Sequence, residues 1–203
     1  MSENGLNILM KRIINSDYIS MEELVKDSDT YSIDEIHVFL DHIIAKWEAN
    51  ELTPAAINAL LRFVYVYLDR PDVQINYKNR TPLPICHFSS FLLPSALFLY
   101  SFLKTLSFAV TMIRLEKTDH DLKEYIEKMK PSVIIFTISQ FLHVETLKQL
   151  VPYLLDRDLK IIIGGIPFVY DESMKQGFSD CIFPREMTEL TISLENYLKR
   201  DAR

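Results

Sequence analysis

The sequence predicts an α/β protein: an N-terminal four-helix bundle followed by a doubly wound, five-stranded parallel sheet. Three observations predict it. Apolar residues recur at helical spacing through the first third of the chain, behind well-marked helix starts. From about residue 81 onward, short apolar runs alternate with helix-like stretches, the pattern of repeated strand-helix units. Between the two lies RPDVQINYKNR, a polar, breaker-containing segment that reads as a boundary. With 203 residues, 48% of them hydrophobic and 25% charged, the chain is long enough to bury a sizeable core, and disordered, collagenous and coiled-coil readings fall away.

The bundle is expected over residues 1–70. Leu6, Leu9, Met10 and Ile13 form a first apolar stripe. Ser20 and Ser32 each precede a glutamate by three residues, Glu23 and Glu35, which is the capping-box pattern. After Ser32 the set Ile33, Ile36, Phe39, Leu40, Ile43, Ile44 and Trp47 lies on one face. Thr53-Pro54 then supplies an N-cap with proline at the first helical position, ahead of Ile57, Leu60, Leu61, Val64 and Leu68. Residues 71–80 are expected to be a linker. In 81–203, segments 85–89, 108–115, 132–138, 160–166 and 180–183 read as strands, and 95–104, 118–129, 143–156, 171–176 and 187–200 as helices. Parallel sheets of this kind bind ligands beyond the carboxyl ends of their strands. Those ends lie near residues 88–95, 137–141 and 164–168.

Charge and cysteine content narrow the function. A net charge of −6, with 22 basic against 28 acidic residues and no basic run longer than a pair, argues against direct nucleic-acid binding. Cys86 and Cys181 stand far apart without neighbouring ligand-type residues, so no disulfide framework or zinc site is expected and a cytoplasmic location fits. No signal peptide is read at the N-terminus. Residues 81–103 carry no formal charge, yet Pro82, Pro84, Pro94, four serines and His87 make them a buried strand leading through a proline turn into a helix, not a membrane span. No catalytic, phosphate-loop or dinucleotide signature is present, and a non-enzymatic role is expected.

A helical bundle followed by a flavodoxin-like domain, with Gly164-Gly165 closing the fourth strand, resembles the cobalamin-binding modules of corrinoid proteins and of light-responsive MerR-type regulators. That family carries Asp-x-His-x-x-Gly after its first strand, Ser-x-Leu after its third and Gly-Gly after its fourth. The first motif falls on Ser90-Phe91-Leu92-Leu93-Pro94-Ser95 and the second on Thr137-Ile138-Ser139. Ser90 thus stands in place of the aspartate, and Leu92 in place of the histidine that ligates cobalt. Leucine has no ligating atom. The photoreceptor subgroup also has a bundle tryptophan followed by a Glu-His pair. Trp47 matches the tryptophan, while Ile57-Asn58 occupies the pair. The resemblance therefore implies a degenerate module without histidine-ligated cobalamin, and no metal ligand set is assigned. Base-on cobalamin binding stays open.

The cofactor-binding candidates are Trp47, Asn58, Ser90, Leu92, Ser95, Thr137, Ser139, Gly164 and Gly165. Several have a structural reading as well. Gly164-Gly165 lets a flat ligand approach the backbone, or lets a strand end turn. Thr137 and Ser139 bond a ligand, or cap the following helix. Trp47 is core, or a lid over the ligand. His87 and His143 are weak candidates for a haem iron, and His37, His42 and His120 are given no role. The bulky set Phe91-Leu92-Leu93-Pro94 with Ala96, Leu97, Phe98, Leu99 and Tyr100 is expected to fill the slot that takes the cobalamin tail in the family. The resulting expectation is a sensory or regulatory protein, acting through a protein partner or by self-association, whose input is a non-cobalamin tetrapyrrole such as haem or bilin. Its rivals are a genuine cobalamin-binding regulator or corrinoid carrier, a ligand-free interaction scaffold, and a small enzyme using the strand-end cleft.

Overall fold

The computed structural model describes residues 3–15, 20–88, 94–115 and 120–201. The chain forms two compact units, Met1–Lys78 with Ala96–Phe108, and Asn79–Ser95 with Ala109–Arg203.

The first unit begins with α1 (Glu3–Ile14), α2 (Met21–Lys26), α3 (Ile33–Glu48) and α4 (Pro54–Leu68). Their starts follow from side-chain capping: Ser20, Ser32 and Thr53 each accept the backbone N–H of the residue three positions on. At Ser32 the box closes reciprocally, because the Glu35 carboxylate accepts the Ser32 N–H at 3.0 Å. That bond also holds the Glu35 carboxyl below its ordinary pKa. The apolar stripes bury Leu6, Leu9, Met10, Ile13, Leu24, Ile36, Phe39, Leu40, Ile43, Leu60, Leu61 and Val64. Tyr67 is fully buried, and its hydroxyl is satisfied by the backbone before α3, donating to Tyr31 O at 2.9 Å and accepting the Tyr31 N–H at 2.5 Å.

Helix α5 (Pro94–Thr105) packs within this unit from Ala96 onward. It is tied down by a buried lysine: Lys104 Nζ donates to Asp69 Oδ1 at 2.5 Å and to Leu68 O at 3.0 Å, while Tyr100 donates to the same carboxylate at 2.6 Å. Ala96, Leu97 and Tyr100 are buried, and Phe98 and Leu99 half-buried. Residues 91–93 of the expected tail-slot filling lie outside the described residues.

The second unit holds β1 (Leu83–His87), β2 (Val110–Arg114), β3 (Val133–Thr137), β4 (Lys160–Gly164) and β5 (Cys181–Ile182), all parallel in the order β2-β1-β3-β4-β5. This is the flavodoxin-type order, with its switch point between β1 and β3. Side chains alternate across a strand. One face carries Cys86, Ile134, Phe136, Ile138, Ile161 and Ile163, which pack with Leu122 and Ile126 of α6 (His120–Met129), with Val144, Leu147, Val151 and Leu154 of α7 (Leu142–Leu155), and with Phe168 and Phe178. The opposite face carries Leu83, Ile85, His87, Val133, Ile135, Thr137, Ile162 and Gly164. The chain ends in α9 (Met187–Asp201), where Leu190 and Leu194 are buried.

Two local expectations are corrected. Residue 166 is not strand: β4 stops at Gly164 and the chain turns directly into α8 (Ile166–Tyr170), with Pro167 in its first turn. Proline there has no N–H to continue the ladder and a dihedral suited to a helix start. Residues 171–176 form a single 3-10 turn, Glu172–Lys175, started by the Asp171 carboxylate accepting the Ser173 N–H at 2.9 Å. The stretch 71–80 contains no helix or strand, and its end is anchored rather than solvated. Asn79 is buried, donating to Thr81 O and Ala109 O and accepting the Ala109 N–H.

Candidate functional site

The carboxyl edge of the sheet assembles a row of side chains from three strands. His87 of β1 is in register with Thr137 of β3, and Thr137 with Gly164 of β4. Residues in register on adjacent strands point to the same face, so all three lie on the face opposite the Cys86, Phe136 and Ile163 core. On the outer side the row is continued by Arg114 of β2. His87 and Thr137 are buried, at 4% and 6% exposure. Gly164 differs: a β-carbon added there would meet no atom within 4 Å. The row therefore ends in open space, at the place where parallel sheets of this order receive ligands.

The two glycines have separate reasons. Gly165 adopts φ 125° and ψ 171°, a region essentially restricted to glycine. An added β-carbon would lie 1.9 Å from Ile138 O. The strand-turn reading thus accounts for Gly165. It does not account for Gly164, whose carbonyl accepts the Ile138 N–H at 2.9 Å and whose α-carbon faces free volume.

The hydroxyls also depart from the capping reading. Thr137 Oγ1 donates to Ser95 Oγ at 3.5 Å, a long contact joining the tip of β3 to the first turn of α5. Neither Thr137 nor Ser139 caps α7, whose N-cap position is Phe141 without a side-chain bond. Ser139 is half-buried in the loop between them. Next to this loop, His143 stacks on Phe88 with ring centroids 5.0 Å apart and planes inclined by 19°. Burial lowers the His143 pKa, so the ring is neutral at pH 7 and keeps one nitrogen lone pair.

Large apolar side chains stand exposed on the same connections: Phe141 and Leu142 after β3, and Ile166, Val169 and Tyr170 after β4, the last two at 81% and 80% exposure. A strand reading that runs to 166 does not bring out Ile166, Val169 and Tyr170 as this exposed group, and the Pro167 helix-start signal marks that part of the set.

Ser90 and Leu92 lie outside the described residues. Ser95, Thr137, Ser139, Gly164, Gly165, His87 and His143 all belong to the second unit, around the ends of β1, β3 and β4. Trp47 and Asn58 belong to the first. Trp47, on α3, is exposed at 41% and is not core. Asn58, on α4, is half-buried, and its Oδ1 has no hydrogen-bond partner among the described residues. No group of three or more His, Cys, Asp or Glu able to hold a metal ion occurs among the described residues. Burial pushes both thiols up, Cys181 to about 11, so neither is a thiolate nucleophile at neutral pH. No helix among the described residues is long and apolar enough to cross a membrane.

The architecture is that of cobalamin-binding proteins. A cobalamin-binding protein from Desulfitobacterium hafniense DCB-2 superposes with a TM-score of 0.52 at 14% identity, over 95% of this chain and 98% of that one. A chain of the methanol:cobalamin methyltransferase complex MtaBC from Methanosarcina barkeri superposes with a TM-score of 0.53 at 11% identity, over 98% of this chain and 81% of that one. At such identities the likeness is one of fold. No protein-family model matches the sequence, and no curated protein does.

Proposed function

We propose that this chain is a non-catalytic regulatory binding module that seats a planar tetrapyrrole against the carboxyl edge of its sheet and acts through a protein partner or by self-association. The observation that carries this reading is the open space over Gly164, at the end of the His87–Thr137–Gly164 row. A flat macrocycle needs backbone without a side chain beneath it, and Gly164 supplies that where Gly165 is explained by the turn. Thr137, Ser139 and Ser95 would provide hydrogen bonds at its rim, and the exposed apolar set an edge to cover.

Leu92 stands where the resembled family places its cobalt-ligating histidine, so a cobalamin here would be held base-on. A haem or bilin has no such requirement. For a haem iron, the neutral His143 is a better candidate than His87, which is nearly closed off. A second reading, a corrinoid carrier serving a methyltransferase, is favoured by the likeness to a chain of the methanol:cobalamin methyltransferase complex.

The test is visible absorption of the full chain titrated separately with hydroxocobalamin, hemin and biliverdin, alongside Gly164→Phe, with apparent size followed on a column. The regulatory reading expects one bound spectrum, at least tenfold weaker (about 1.4 kcal/mol) in Gly164→Phe, and a change in apparent size. Bound cobalamin without a size change would favour the carrier. No binding by any of the three would leave a ligand-free scaffold and overturn both.

A further inference from the structure

The opposite, amino-terminal edge of the sheet carries a second feature that the reading above does not use. The end of α6 with the loop into β3, and the loop from α7 into β4, flank an open cleft of about 490 Å³ lined by Ile126, Glu127, Lys130, Pro131, Arg157 and Leu159. That volume is in the range of small-molecule sites, which combine an apolar floor with a few placed polar groups. Here the floor is Ile126, Pro131 and Leu159, all buried residues. The rim holds two cations and one carboxylate.

The guanidinium of Arg157 is held by the fold, and neither cation has a carboxylate partner among the described residues. Arg157 lies over the Tyr153 ring, its guanidinium carbon 3.6 Å from the centroid, and its Nη1 donates to Tyr153 O at 3.0 Å. The remaining N–H groups of that fork are engaged by no described residue. Such a pinned guanidinium loses little freedom when it binds an anion. Lys130 has φ 46°, and its backbone N–H is bonded to Ile126 O at 2.9 Å, which fixes where its side chain leaves the chain. Glu127 makes no ion pair with either, although Lys130 follows it by three residues on the same wall.

We infer that this cleft binds a small organic anion, its phosphate or carboxylate group between Lys130 and Arg157 and its apolar part on Ile126, Pro131 and Leu159. The Glu127 carboxylate works against polyanions, so the ligand is a compact species of one or two charges. Planar bidentate acceptance from arginine suits both groups. The site is independent of the tetrapyrrole proposal, because it sits at the other end of β3 and β4 and shares none of its residues.

The test is two-dimensional amide NMR of the full chain titrated with phenyl phosphate, and in parallel with phenol and with inorganic phosphate. The expected result is a saturable shift at the amides of Ile126, Lys130 and Leu159 with phenyl phosphate in the millimolar range, each half-molecule binding about tenfold more weakly. Arg157→Gln and Lys130→Gln should each weaken binding about tenfold while leaving the rest of the spectrum in place, both side chains being exposed. The inference is overturned if phenyl phosphate gives no saturable shift, if the shifts lie elsewhere, or if the double variant binds as the parent does.

Discussion

Adding one methyl group at Gly165 or at Gly164 should have opposite consequences, although the two residues are adjacent. At Gly165 the new β-carbon would sit 1.9 Å from Ile138 O, a backbone atom that cannot swing aside, and at φ 125°. Holding a non-glycine residue in that region costs about 1–3 kcal/mol. Displacing the end of β3 to relieve the clash costs about 1–3 kcal/mol more, the usual range for overpacking. The sum is about 2–6 kcal/mol. For a chain of this size each kcal/mol lowers Tm by about 2–4 °C, so Gly165→Ala should melt about 4–24 °C below the parent. At Gly164 the methyl group enters free volume within an extended strand, where alanine is favoured over glycine by about 0.5–1 kcal/mol. Gly164→Ala should therefore match or exceed the parent. Differential scanning calorimetry of both variants decides it. The reasoning is refuted if Gly165→Ala melts within about 2 °C of the parent, or if Gly164→Ala loses as much as its neighbour.

Two other perturbations follow from the same reasoning. Tyr67→Phe removes the hydroxyl that serves both the N–H and the C=O of Tyr31, and should cost about 1–2 kcal/mol by denaturant unfolding, with the far-UV spectrum unchanged. A loss below about 0.3 kcal/mol would mean that water replaces both bonds at no cost. His143 has a folded pKa below its unfolded one because of burial, so between the two values the unfolded chain binds more protons. Stability should consequently rise with pH through that window and fall as pH drops below about 6.5, the ordinary histidine value. His143→Phe, which keeps a ring on Phe88, should flatten that part of the stability profile, and an unchanged slope would assign it to other groups.

The helix starts were legible because they are local events. Ser20, Ser32 and Thr53 cap helices in the structure as their spacing to the following residues predicts, since the hydroxyl reaches a backbone N–H only three residues away. The five strands were legible as apolar runs, for a parallel sheet buried on both faces demands them. Their order could be expected once the domain resembled the flavodoxin type. The end of β4 was misread because the apolar run IIIGGIPFV continues through the turn, and hydropathy alone does not separate strand from the helix that follows it.

The sequence by itself determined the four bundle helices and the five strands, the chain's acidic balance and the absence of a histidine at position 92, all properties of single residues or short spans. Tertiary structure alone decided which residues meet. Strand register aligns His87, Thr137 and Gly164, which stand 50 and 27 residues apart in the chain. Packing of the β3 and β4 ends separates the roles of two adjacent glycines that look equivalent in the sequence. Pairing of Lys104 with Asp69 makes a charged residue tolerable in the interior. Each of these depends on distances between atoms far apart along the chain, and such distances exist only once the layers have packed.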